Sequence, residues 1–174
     1  MHIRLATPRD AAAIWSIIGP VIRAGGTLKR AGRPGDIRAL EALDRDMSEA
    51  EAIAYWLGKN RETFIAEDES GEILGTYYLK ANQAGGGRHI ANCGYMTSAA
   101  ATGRGVARAM CAHSLDRARQ RGFRGMQFNF VVSTNTRAVA LWESFGFEVV
   151  GRLPGAFEHL TEGFVDALVM FREL

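Results

Sequence analysis

Cysteine is scarce in this chain: of 174 residues only Cys93 and Cys111 carry a thiol. Two such residues supply neither a disulfide framework nor a zinc-ligand spacing, and no metal site is expected. Both fall on an expected strand or helix face, where a thiol serves as a small buried hydrophobe. Long apolar runs are missing too: no stretch approaches the roughly 18 consecutive apolar residues of a membrane span. The start, Met1-His2-Ile3-Arg4-Leu5, lacks the apolar core of a signal peptide, so a soluble cytoplasmic protein is expected. Excess charge is absent as well. Lys and Arg number 21 against 19 Asp and Glu, a net +2 that gives no strong pull toward nucleic acid or an anionic membrane. With no internal repeat, low-complexity tract or linker, residues 1–174 read as a single domain large enough to bury a real core.

Alternation over residues 2 to 6 predicts a short strand, and Thr7-Pro8-Arg9-Asp10 supplies an N-cap, a proline at the first helical position and an acid at the third. The helix that follows buries Ala11, Ile14, Trp15, Ile18 and Ile22 and stops at Gly25-Gly26. Residues 23 to 46 are glycine-rich and weakly periodic: a long connection, with a short helix over Asp36 to Leu43, expected to cover an acceptor site. Ser48-Glu49-Ala50-Glu51 is a second capping box, followed by a stripe of Ala50, Ile53, Ala54 and Leu57. Strands over Thr63 to Glu67 and Ile73 to Lys80 form a hairpin across Asp68-Glu69-Ser70-Gly71, and His89 to Met96 makes a third.

From Val106 the apolar spacing becomes helical through Met110, Cys111, Ser114, Leu115 and Ala118, and another strand follows over Met126 to Val132. A strand, helix, strand unit of this length requires parallel pairing and a right-handed crossover. Asn135 caps a last helix with Ala138, Leu141, Trp142 and Phe145 on its face and Gly146 at its end. Phe147 to Leu153 and Phe164 to Phe171 close the chain as strands across a Pro154-Gly155 loop. The apolar last strand and the exposed edges make a homodimer the expected assembly.

The loop between Met96 and Val106 is where chemistry gathers. Gly103 and Gly105 carry no Cβ, and the first turn of the following helix points its free N–H groups, with the positive dipole end, at whatever lies before it. That is an anion cradle, and Arg104 and Arg108 add charge suited to a diphosphate. A tight strand-to-helix turn would use the same glycines. A dinucleotide fingerprint would need glycine at 108, where Arg108 stands.

Thr102-x-x-Gly105-x-Ala107, followed by Asn135-Thr-Arg-Ala-Val-Ala-Leu-Trp-Glu-Ser-Phe-Gly-Phe147, resembles the paired motifs of the GNAT superfamily of acyl-CoA N-acyltransferases. The resemblance implies an α/β (α+β) fold: a mixed, mostly antiparallel sheet of about seven strands, helices on both faces, and a central parallel pair splayed around acetyl-CoA. It implies that Gly103, Arg104, Gly105, Val106, Ala107 and Arg108 hold the diphosphate, that Tyr95, Met96 and Thr97 lie along the thioester and pantetheine, and that Asn135 and Trp142 flank them. Thr102 stands where the family prefers Gln or Arg, and Trp142 where a tyrosine often protonates the leaving thiolate. An indole N–H is a donor only and is no proton source near neutral pH.

Asn92, Asn129-Phe130 and Asn135 resemble one branch more closely, the yeast azetidine-2-carboxylate and hydroxyproline N-acetyltransferases. On that likeness Asn92 and the amides of Asn129 and Phe130 bind the acceptor carboxylate, Asn135 lies near the sulfur, and the Tyr95 amide binds the thioester carbonyl. The expected reaction is direct attack by a small amine, proline-like or another amino acid, with no covalent enzyme intermediate. His89 to Met96 contains no carboxylate to act as general base, and His159 reads as exposed loop, His113 as surface. Acetylation of a peptide N-terminus and an acyl-CoA-sensing domain without turnover remain open beside it, and Asn135 and Asn92 could equally serve as a helix cap and a strand-edge partner.

Overall fold

The computed structural model describes residues 1–23 and 47–174; the expected connection, its helix over Asp36 to Leu43 and its cover of an acceptor site lie outside the described residues. Seven strands form one sheet in the order β1-β2-β3-β4-β5-β7-β6. They are β1 (His2–Leu5), β2 (Glu62–Glu67), β3 (Ile73–Ala81), β4 (Ile90–Thr97), β5 (Gly125–Val132), β6 (Glu148–His159) and β7 (Gly163–Glu173). Only β4 and β5 run parallel. The helices are α1 (Ala11–Arg23), α2 (Glu49–Trp56), α3 (Val106–Gln120) and α4 (Thr136–Ser144). No described helix is long and apolar enough to cross a membrane.

Local chemistry sets the entries. The Asp10 carboxylate accepts from the Thr7 N–H at 2.7 Å and from two guanidinium nitrogens of Arg4 at 3.1 and 2.9 Å, pinning β1 to the turn that opens α1. Ser48 and Glu51 close the second capping box over α2.

The helices cover both faces. On one, Ile14, Ile18 and Ile22 of α1 and Trp56 of α2 pack on Ile65, Tyr78 and Met96. On the other, Met110 and Leu115 of α3 and Trp142 of α4 pack on Tyr77, Tyr95 and Phe128. The α3 stripe is buried at all six expected positions. The α2 stripe differs: Ala52 and Trp56 are buried, whereas Ala50 and Ala54 are exposed. Trp56 is the largest apolar side chain on that eight-residue helix, and its Nε1 donates to Thr76 Oγ1 at 2.9 Å, so it sets which side faces the sheet.

The terminal hairpin also departs from expectation. Pro154-Gly155 is no loop; it sits inside β6, in a register shift between Leu153 and Phe157, with Gly155 at φ 57°. β6 is an edge strand, where a proline forfeits no ladder bond and a bulge is tolerated. The chain reverses only after His159.

Candidate active site

The β4–β5 ladder is short. Ile90 aligns with Gly125 and Ala91 with Met126, and beyond that the two strands part. In the neighbouring β3–β4 ladder, Asn82 N–H donates to Ile90 C=O and Ser98 N–H to Leu74 C=O, both at 2.8 Å. Antiparallel bonds recur at every second pair, so Asn92, Gly94 and Met96 bond to β3. Cys93, Tyr95 and Thr97 therefore turn their N–H and C=O groups the other way, toward the widening gap. Across it, β5 carries a bulge: Asn129 and Phe130 occupy the space between the Phe128–Met170 and Val131–Leu168 pairs. At the crotch the Asn92 side chain, fully buried, donates from Nδ2 to Gln127 C=O at 3.0 Å and ties the strands where the ladder ends.

The gap opens toward the start of α3. Gly105, at φ 76°, is its N-cap and offers no side-chain cap. The first intrahelical bond runs from Ala109 N–H to Gly105 C=O at 3.0 Å, which leaves the amides of Val106, Ala107 and Arg108 ahead of it. A Cβ placed on Gly103 or Gly105 would meet nothing within 4 Å; it would project into open space. That space is a cleft of about 370 Å³ walled by Thr97, Gly103, Gly105, Val106, Ala107 and Arg108. These residues fit an anionic cofactor: the donors converge, no side chain blocks them, and the helix dipole favours negative charge.

Arg104 does not join this wall. Its guanidinium pairs with Asp68 at 3.2 Å, and its N–H donates to Ala101 C=O at 3.1 Å. The Ser70 hydroxyl, more than Arg104, holds the Asp68 carboxyl down at about 2, so the pair stays charged. Arg137, Ala140 and Leu141 of α4 do join; sequence reasoning placed Leu141 only on the helix's apolar face and passed over Arg137 and Ala140. Their signal was a helical spacing of 137, 140, 141 and 144 along one side; Ser144 accepts from Arg108 Nη2 at 3.0 Å and docks that side against α3.

Asn135 caps α4, its side chain accepting from Ala138 N–H at 3.3 Å. Trp142 is fully buried, tilted against Tyr95 and Phe128 with ring centroids 4.9 and 5.0 Å away. Its Nε1 has no hydrogen-bond partner among the described residues. Tyr95 is likewise fully buried, its phenol 2.6 Å from Ser114 Oγ and kept neutral by burial, so only its main chain reaches the gap. The Met96 side chain points to the α1 face instead.

On that α1 face the strands carry neutral amides. Gln127 Nε2 donates to Asn129 Oδ1 and Asn129 Nδ2 to Asn82 Oδ1, both at 2.7 Å. Phe130 packs edge-on to Phe157 at 6.3 Å. His159 is not the exposed loop residue that its sequence context implied: it is 5% exposed, because β6 continues to it through the bulge and seats it beside Phe157. Thr161 N–H donates to its Nδ1 at 3.3 Å, which places the proton of a neutral ring on Nε2. His113 is held differently, 2.5 Å from the Tyr77 hydroxyl on the far face, with burial lowering its basicity. Among the described residues no three His, Cys, Asp or Glu side chains group to hold a metal ion.

Comparison with known proteins matches this geometry to a family. The model of the Acetyltransferase (GNAT) family aligns with residues 35–147. N-acetyltransferase aca1 of Schizosaccharomyces pombe is 34% identical over 103 residues, covering 56% of this chain and 47% of that protein. The chain thus spans about half the length of that curated relative. A GCN5-related N-acetyltransferase from Kribbella flavida superposes with a TM-score of 0.88 at 39% identity, over 99% of this chain and 97% of that one. A phosphinothricin acetyltransferase from Sinorhizobium meliloti, solved in complex with AcCoA, gives 0.77 at 22% identity over 99% and 88%, a likeness of fold alone.

Proposed function

Because the chain belongs to the acetyltransferase (GNAT) family, we propose that it is an acetyl-CoA-dependent N-acetyltransferase whose acceptor is a small amine, an amino acid of proline-like type among the candidates. One observation carries this reading: the main-chain N–H of Tyr95 faces a gap between β4 and β5 that opens toward the uncapped N-terminus of α3. A donor gripped by its diphosphate at Gly103, Gly105 and the amides of Val106 to Arg108 would extend its thioester along that gap.

Acetyl-CoA supplies an acyl group on a sulfur leaving group. The amides of Val106, Ala107 and Arg108, with the Arg108 and Arg137 side chains in the same cleft wall, hold its diphosphate. The Tyr95 N–H donates to the thioester oxygen, where negative charge grows as the amine attacks; one such donor is commonly worth about 10²- to 10³-fold in rate. Asn135 lies at the α4 N-terminus, from which its side-chain amide can donate to the sulfur as the C–S bond breaks. A thiol's reference pKa of about 8.5 makes its thiolate a competent leaving group without a dedicated acid. Trp142, buried against Tyr95 and Phe128, steadies the strand whose amide meets the thioester. The amine's proton passes to water, since β4 bears no carboxylate.

The acceptor sits on the α1 face, where the β5 bulge carries the main-chain amides of Asn129 and Phe130 toward an acid group; Asn92, buried and bonded to Gln127 C=O, holds β5 in place beside them. A homodimer is proposed as the assembly: the open edge strand β6 exposes Val149, Val150 and Leu153, and Phe164 beside it is 75% exposed. The test is thiol release from acetyl-CoA against a panel of proline analogues, amino acids, short peptides and simple amines. Turnover of a small amine supports the reading, and turnover of peptides alone moves the acceptor class. Tight acetyl-CoA binding with no turnover across the panel would replace the enzyme with a sensor.

A further inference from the structure

A second cleft lies at the other end of the sheet. It encloses about 690 Å³ between the residues after α2, the end of β3, the start of β4 and the end of α3. The cradle stands at the first residue of α3 and this cleft just past the last, so 15 residues of helix, roughly 22 Å, separate them. Five cations line it: Lys59, Arg61, Lys80, Arg88 and Arg121. The one carboxylate in its wall, Glu62, is held by Arg117 at 2.8 and 2.9 Å and by Arg121. Lys59, Arg61, Lys80 and Arg88 have no carboxylate partner among the described residues.

Arg61 is fixed in place. Its guanidinium lies 4.0 Å from the centroid of the Tyr55 ring and 5.0 Å from that of Tyr78, and its Nε donates to Asn60 Oδ1 at 3.3 Å. Its Nη1 is buried and has no hydrogen-bond partner among the described residues. An ionised donor left in that condition is costly, and gathering five like charges around one cleft is costly again. The whole chain carries only +2, so this end holds a concentration of charge that composition does not reveal. A single carboxylate would leave most of these cations unmatched. A phosphate-bearing anion offers several oxygens and more than one charge, and forked guanidiniums suit it.

We propose that this cleft is a binding site for a multivalent phosphate-bearing anion, separate from the cradle at the start of α3. Lys80 stands directly opposite Asn92 in the β3–β4 ladder, so occupancy reaches the strand that borders the acceptor face.

The probe is inorganic pyrophosphate, titrated calorimetrically into the full chain with coenzyme A saturating so that the cradle is filled. One further binding event is expected, weakening as salt rises. Lys59→Gln with Arg88→Gln removes two exposed charges that pair with no carboxylate among the described residues, and Arg61→Gln removes the clamped one. Each variant should lose about tenfold or more in pyrophosphate affinity while keeping its coenzyme affinity. No binding at millimolar pyrophosphate, or full binding in both variants, would overturn the proposal. Coenzyme affinity is read separately in the same samples, so a failure of the proposed function shows as loss of that signal alone.

Discussion

Gly105, at the N-cap of α3, is a position at which the cradle can be closed without touching anything else. It caps α3 at φ 76°, and a Cβ there has no neighbour within 4 Å, so a side chain brings backbone strain and no clash with the protein. For alanine the left-handed backbone costs about 1–2 kcal/mol, and asparagine tolerates it better. At roughly 2–4 °C per kcal/mol for a chain of this size, Gly105→Ala should melt a few degrees below the parent, and Gly105→Asn less far below. Coenzyme affinity should behave otherwise. A side chain at this position holds the diphosphate away from the amides of Val106 to Arg108, and each charge-assisted bond lost is worth about 1.5–3 kcal/mol. Loss of one or two such bonds amounts to roughly 10- to 10⁴-fold. Thermal unfolding and calorimetry with coenzyme A on the two variants separate the effects: stability should rank parent, Asn, Ala, while both variants lose affinity alike. If both bind coenzyme A as the parent does, the diphosphate does not lie on this helix and the reasoning fails.

Asp10 supplies a pH signature of the fold. Arg4, with the Thr7 N–H and hydroxyl, holds its carboxyl at about 2 against an ordinary 3.8. A depressed pKa stabilises the folded chain above the unfolded value, and the gain is lost as pH falls from about 4 toward 2. Asp10→Asn should therefore cost about 2 kcal/mol in urea unfolding at pH 7 and little near pH 2; a constant gap across that range would contradict the assignment. Asn135 combines a cap with a proposed catalytic donor, and two substitutions part them. Asn135→Ala should lose about 1 kcal/mol of stability together with turnover. Asn135→Ser should keep the cap and the melting temperature yet still lose about tenfold or more in kcat; undiminished turnover in the serine variant would leave Asn135 a cap only.

Much of this molecule was legible along the chain because the relevant signals are local. The α3 stripe from Val106 to Ala118, the capping boxes at Thr7 and Ser48, the Asn135 cap and the two cradle glycines each depend on neighbours a few residues away. Periodicity and caps act over one or two turns, so among the described residues the sequence alone determined the order of strands and helices and the parallel crossover that creates the β4–β5 pair, though not the reach of β6 through Pro154-Gly155. What it could not determine was how far that pair stays zipped, because the length of a ladder is set by the packing of α3 and α4 against it. The same holds for the side of α2 that Trp56 turns inward, the burial of His159 behind a bulge, and the diversion of Arg104 to Asp68. It holds also for the five cations brought to one cleft from separate parts of the chain. Each of these joins residues distant in sequence, and only folding in three dimensions decides which of them meet.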